Sequence, residues 1–166
     1  TTTASGQGHT LVNNGLLVGD VHFAGGVRFS NGGNDVYDNT NGETRGVVYG
    51  FVGNDTFTGG AFADTFNGGV GNDRLDGGGN IDIAIVSGNR AAYRVTQTSV
   101  GVFRVVGTDG TDTLTNIEYL QFDDQTIRLL PGTGVSVNFD TSDPSVYQSA
   151  MDNIRDFDGN DLGGNG

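Results

Sequence analysis

GFVGNDTFT (50–58), GGAFADTFN (59–67), GGVGNDRLD (68–76) and GGGNIDIAI (77–85) are four consecutive nonapeptides. The pattern they share is G-G-x-G-x-D-x-U-x, where U is a large apolar residue, and the third copy matches it throughout. Each nonapeptide divides into a turn of six residues and a strand of three. The glycines let the backbone take positive φ and pack closely where a Cβ would hinder it. The x-U-x part alternates, so one apolar side chain per strand points inward. Those residues are Phe57, Phe66, Leu75 and Ala84. Two nonapeptides make a coil of 18 residues with a turn on either side. Turns on one side then stack at that interval, which pairs Asp55 with Asp73 along one edge and Asp64 with Asp82 along the other.

This nonapeptide is a known signature of calcium-binding parallel β-helices, an association that belongs to the pattern and is not deduced from its spacing. The residues suit the task. Calcium is a hard cation taking six to eight oxygens from carboxylates and carbonyls. Glycine-rich turns expose carbonyls, one aspartate per turn supplies charge, and two stacked turns complete a shell. Without the ion the aspartates along an edge repel one another, so the segment is expected to fold only with calcium present. Phe51, Phe62 and Asn80 replace glycines of the pattern, but all four aspartates survive. The strong site is expected at Asp55/Asp73, where both turns keep Gly-Asn-Asp, and the Asp64/Asp82 site is expected to be weaker or empty. The competing reading, a Gly/Asp-rich array of loops without metal, is less favoured by four copies in phase. An earlier copy lies at 30–38, SNGGNDVYD, and is out of phase with the array. Residues 39–49 must therefore hold an insertion or bulge, and Asp35 faces Asp55 only if a loop absorbs it.

Composition agrees. The 166 residues include 30 Gly and no Cys, Trp or Lys; of 20 acidic residues, 18 are Asp and only Glu43 and Glu118 are Glu. Aspartate favours turns and ion sites where glutamate favours helices. A net charge of −12 argues against nucleic acid or an anionic membrane as partner. No apolar run approaches the roughly 20 residues needed to span a bilayer, and Thr1 looks like the start of a fragment or processed product. Calcium can replace disulfides as the staple of a small core, so the lack of Cys is compatible with an extracellular location.

Working outward, the short apolar pieces of 11–37 read as degenerate coils of the same helix, within a segment bounded at 1–49. After the nonapeptide roll of 50–85, IDIAIVSG (81–88) reads as an alternating strand leaving the pattern. AAYRVTQTS (91–99) and VGVFRVVGTDG (100–110) read as a hairpin, and TDTLTNIEYLQFDDQTIRL (111–129) continues a capping β module assigned to 86–130. A solenoid needs such a cap over its last coil. Residues 131–166 read as a linker, a strand and one short helix with Asp143 as N-cap and Pro144 at its first position. That helix runs into Asp156-x-Asp158-x-Asn160, either the start of an EF-hand-like calcium loop or a polar Gly/Asn tail. The expected fold is all-β: a right-handed parallel β-roll with Gly/Asp turns, a small antiparallel cap and one short C-terminal helix.

Residues 50–85 resemble the hemolysin-type calcium-binding repeats of secreted bacterial RTX proteins, and 87–129 is similar to the module often found after them. Together they cover about half of the chain. The resemblance implies a parallel β-roll, calcium in its turns, export before folding, and an extracellular location. By resemblance, Asp55, Asp64, Asp73 and Asp82 are ligand positions, and Gly53 and Gly71 hold the turn.

The expected function is a non-enzymatic, calcium-stabilised structural module beside neighbouring domains of a larger exported protein. The alternative is a self-assembling surface or matrix subunit docking end to end, seeded by Leu16, Leu17, Val18 and Phe23. No H-E-x-x-H or G-x-S-x-G motif is present, and His9 and His22 read as ordinary strand or loop residues. The Asp123-Asp124 pair reads as a turn or a minor ion site.

Overall fold

The computed structural model describes residues 8–23 and 32–129. The first coil carries β1 (Thr10–Val12), β2 (Leu16–Val18) and β3 (Val21–His22), and the second β4 (Val36–Asp38), β5 (Glu43–Arg45) and β6 (Val47–Tyr49). The third carries β7 (Thr56–Thr58) and β8 (Thr65–Asn67), and the fourth β9 (Arg74–Asp76) and β10 (Ile83–Ile85). A 3-10 turn (Arg90–Ala92) and the strands β11 (Arg94–Ser99) and β12 (Val102–Val106) come next. Then β13 (Thr111–Thr115) and β14 (Tyr119–Gln121) make a fifth coil, which β15 (Thr126–Arg128) closes. The expected C-terminal helix and the Asp156/Asp158/Asn160 loop lie outside the described residues, as do the segments 1–7 and 24–31.

Corresponding strands of successive coils pair in parallel, β1-β4-β7-β9-β13 in one sheet, β3-β6-β8-β10-β14 in a second and β2-β5 in a third. The architecture is an all-β parallel roll. Strands are short because the repeat leaves only x-U-x between its turns. The insertion expected in 39–49 is β5 itself, which gives the second coil a third side and pairs with β2.

The two larger sheets end in antiparallel strands. The β11/β12 hairpin lies on β13, and β15 lies on β14. Such pairing closes edges that would otherwise present rows of unpaired N–H and C=O groups. Two readings from the sequence need correction here. Ile83–Ile85 does not leave the repeat but pairs with β8 as the fourth copy's own strand. Residues 111–129 are not antiparallel throughout, because β13 and β14 first continue the roll in parallel. There Leu120 is the fully buried side chain.

The interior is two facing columns of inward side chains set by strand register. Leu11, Tyr37, Phe57, Leu75 and Leu114 form one, and Val48, Phe66, Ala84, Leu120 and Ile127 belong to the other. Phe57, Phe66 and Ala84 are completely buried and Leu75 nearly so. Phe57 and Phe66 meet edge to face with centroids 5.7 Å apart, and Tyr37 meets Phe57 likewise at 6.2 Å. Full burial of such a side chain contributes about 1.5–3 kcal/mol. Phe23 also turns inward, stacking on Phe57 at 5.8 Å, and so is not surface for end-to-end contact as its sequence position suggested. At the three-sided end the interior becomes polar. Asn13 Nδ2 donates to Asn39 Oδ1 at 2.8 Å, and the Tyr37 hydroxyl is hydrogen-bonded to Thr44 Oγ1.

Candidate metal centre

The six-residue turns carry one buried carboxylate each, and the stacking of coils sets these in two columns. Along the first edge each aspartate accepts a hydrogen bond from the backbone N–H one coil before it. Asp35 N donates to Asp55 Oδ1 (2.7 Å), Asp55 N to Asp73 Oδ1 (2.8 Å) and Asp73 N to Asp112 Oδ1 (2.9 Å). At the near end His9 N donates to Asp35 Oδ1 (2.6 Å), and the His9 ring Nδ1 lies 2.9 Å from the same oxygen. Along the second edge Asp64 N donates to Asp82 Oδ1 (2.7 Å) and Asp82 N to Glu118 Oε2 (2.8 Å). Asparagines beside the first column run in the opposite sense: Asn54 N donates to Asn34 Oδ1, Asn72 N to Asn54 Oδ1 and Thr111 N to Asn72 Oδ1.

Asp35, Asp55, Asp73 and Asp112 therefore share one edge, and Asp64, Asp82 and Glu118 the other. Gly53 and Gly71 stack between them in the first edge's turns. Gly71 has φ +148°, and a Cβ there would overlap the carbonyl oxygen of Gly53. The pairings expected at 18-residue spacing are present, and Asp35 faces Asp55 because β5 absorbs the extra length. Sequence reading missed Asp112 and Glu118. Their signal is that 110–114, GTDTL, repeats the form of GNDRL (71–75), and 116–121, NIEYLQ, that of NIDIAI (80–85). Asn39 was missed as well. It is completely buried, and its Nδ2 donates to Asp64 Oδ1 at 2.8 Å, so a neutral amide heads the second column.

The second carboxylate oxygens test whether a cation fits. Oδ2 of Asp55, Asp73 and Asp82 is buried and has no hydrogen-bond partner among the described residues. A buried ionised oxygen left so costs several kcal/mol. These oxygens do not face empty apolar space. A Cβ built on Gly50 would collide with Asp55 Oδ2 and the Gly68 carbonyl oxygen together. One on Gly77 would meet Asp82 Oδ2 and the Asn116 carbonyl oxygen. Two acceptors thus converge with no donor between them, in a cradle that only glycine leaves open. Asp64 differs, because Gly60 N reaches its Oδ2 at 3.2 Å. Among the described residues no three acidic or imidazole groups converge on one point, so backbone carbonyls must complete any shell. An all-oxygen donor set rich in carbonyls suits calcium.

The electrostatics agree. Burial, helped by the charges of Asp73 and Asp35, pushes Asp55 up to about 6. Burial and the Asp109 charge take Asp73 to about 6. Asp82 rises to about 7 through burial and the charges of Asp64, Glu118 and Asp76, and Asp112 to about 7 through burial and those of Asp73 and Asp109. Asp64 is raised by burial, opposed by its bonds from Gly60 and Asn39. The Asp123-Asp124 pair takes a turn role instead, accepting the backbone N–H of Gly88 and of Arg90 at the root of the hairpin.

Compared with known families, residues 49–84 match the RTX calcium-binding nonapeptide repeat in four copies. These are calcium-binding repeats, and their ion is Ca2+. No curated protein and no solved structure matches the chain.

Proposed function

We propose that this chain is a calcium-stabilised structural module of an exported RTX-type protein, with its ions held in the two aspartate columns and its roll completed outside the cell. The observation that carries the reading is the set of buried carboxylate oxygens of Asp55, Asp73 and Asp82, each without a hydrogen-bond partner among the described residues. The first edge, from Asp35 through Asp55 and Asp73 to Asp112, is the better endowed. On the second, Asp82 offers such an oxygen, whereas Asp64 is satisfied by protein donors. Calcium supplies the positive charge that lets these carboxylates remain ionised in a dry turn. Asp55 and Asp73 orient their oxygens through the backbone N–H of the preceding coil, while Gly53 and Gly71 bring carbonyls close.

Export fits a fold that needs calcium: extracellular calcium modules bind at roughly 10⁻⁴–10⁻³ M, a range that fills outside the cell and stays empty in the cytosol. Among the described residues no helix is long and apolar enough to cross a membrane. Titrating the chelator-treated chain with calcium, with magnesium as control and circular dichroism as readout, tests the reading. A cooperative gain of β signal with calcium alone, weakened in Asp73→Ala, supports it. A chain already folded in chelator and indifferent to calcium overturns it.

Self-assembly is the second reading. It is favoured by Val12, Leu16 and Val18 of the first coil, which are 53%, 54% and 77% exposed. Concentration-dependent sedimentation in calcium distinguishes the two.

A further inference from the structure

Phe51 is the residue that the repeat leaves unexplained. It stands where the pattern has its second glycine and adopts φ +72°, a left-handed conformation in which an L side chain meets steric cost. The side chain does not recover that cost by burial, being 42% exposed. It lies against other rings instead. Tyr49 is 6.0 Å away at a tilt of 34°, and His22 stacks on Tyr49 at 4.9 Å, making a strip of three rings on the outer surface of the second sheet.

Beside that strip is a cavity of about 280 Å³ lined by Tyr49, Phe51, Val70, Asn67, Ser87 and Asp109. Two polar side chains, Asn67 and Asp109, border it. Asp109 Oδ2 accepts from the Tyr93 hydroxyl at 2.6 Å, which fixes the carboxylate, while its Oδ1 is buried without a partner among the described residues. The Tyr93 hydroxyl also reaches the Ser87 carbonyl at 2.5 Å, tying the wall of the cavity to the hairpin. The Asn67 amide makes no side-chain hydrogen bond among the described residues.

We propose that Phe51, Tyr49 and the adjoining cavity form a saccharide-binding site that takes one sugar ring of a neutral polysaccharide. A sugar ring presents a C–H face to the aromatic side chains and hydroxyls around its rim. Asn67 can both donate to and accept from those hydroxyls. Acidic glycans are disfavoured by Asp109 and by the net charge of −12. A quaternary ammonium would use the rings and Asp109 but would leave the Asn67 amide unmatched. The site depends on the folded roll, because Val70 N donates to the Phe51 carbonyl and Gly53 N to the Val70 carbonyl. It lies outside the aspartate columns, so it can fail while the calcium reading stands.

Isothermal titration calorimetry on the full chain in millimolar calcium tests it. The neutral probes are maltohexaose, cellohexaose and a galactan oligomer; oligogalacturonate is the acidic probe and trimethyllysine the cationic one. Binding of a neutral oligosaccharide is expected, weakened at least tenfold by Phe51→Gly and by Asn67→Ala. Calcium-dependent circular dichroism, recorded without sugar, should stay intact in both variants. Phe51→Gly should fold at the same or a lower calcium concentration, since glycine suits that backbone. Binding of none of the neutral probes, equal binding by Phe51→Gly, or binding of oligogalacturonate or trimethyllysine alone would overturn the proposal.

Discussion

Replacing Asp55 by Asn keeps the shape of the side chain and removes its charge, and its effect should change sign with calcium. In the metal-free roll Asp55 Oδ1 accepts the Asp35 N–H, and Oδ2 faces the Gly68 carbonyl without a donor. An amide in the same pose keeps the first bond and turns Nδ2 toward that carbonyl. The cost it removes follows from the carboxyl's displacement from 3.8 to about 6. Roughly 2 pH units at ~1.4 kcal/mol each is about 3 kcal/mol for one group. Two or three such groups rival the whole stability of a typical domain, about 5–15 kcal/mol. Circular dichroism near neutral pH gives both arms, read in chelator as the amount of β signal and in saturating calcium as the urea midpoint. In chelator Asp55→Asn should carry more β signal than the parent, its folding equilibrium shifted toward the roll by up to about 3 kcal/mol. In saturating calcium it should be less stable, having lost an ionic ligand. Equal destabilisation in both arms would show that Asp55 serves only as a hydrogen-bond acceptor, and the argument from buried charge would fall.

Acid should partly substitute for calcium. The folded-state pKa values of Asp55, Asp73, Asp82 and Asp112 lie above their unfolded value. Their stabilising contribution is therefore full below the unfolded value near 4 and is lost as pH rises through about 6–7. The chelator-treated chain should gain β signal on acidification from pH 7 to 5, while calcium affinity falls over the same interval; a flat profile would contradict this. Phe66→Ala empties a fully buried site packed on Phe57 and should cost about 3–5 kcal/mol, read as a lower urea midpoint in calcium. Gly71→Ala, at φ +148° and against the Gly53 carbonyl, should cost more than about 1 kcal/mol. It should also raise the calcium midpoint, where an ordinary surface substitution would leave it unchanged.

What the sequence disclosed tracks the range over which its period holds. Phe57, Phe66, Leu75 and Ala84 were legible as core because their spacing is strictly local. The opposition of Asp55 to Asp73 and of Asp64 to Asp82 follows from two periods of nine. Asp112 and Glu118 were hidden because residues 86–109 stand between them and the array, making the Asp73–Asp112 separation 39 residues. The phase is broken as well, since Asp82 and Glu118 lie 36 residues apart where Asp73 and Asp112 lie 39 apart, although even the left-handed Asn80 (φ 82°) recurs as Asn116 (φ 49°). Asn39 gave no signal, since its role depends on a third strand that only the first two coils possess. The cavity at Phe51 is assembled from the turns of two coils and the hairpin root, and no local pattern encodes such a meeting. Phe51 itself was visible only as a departure from consensus.

The opposed senses of the two side-chain ladders in the first edge's turns bear on how the length of this fold can change. Each Gly-Asn-Asp turn offers an aspartate oxygen to the coil before it and an asparagine oxygen to the coil after it. Every such turn is thus a plug on one side and the matching socket on the other, and it is identical from coil to coil. Excising or duplicating a whole 18-residue period, such as 56–73, would join a plug to the socket of another period without altering either. Extra residues are accommodated beside the two main stacks, as the third side β5 of the second coil and as the hairpin between the fourth and fifth coils. The roll is therefore quantised in length along its axis and unconstrained at its flanks, so it can lengthen by gene duplication while new surfaces are grafted onto its sides.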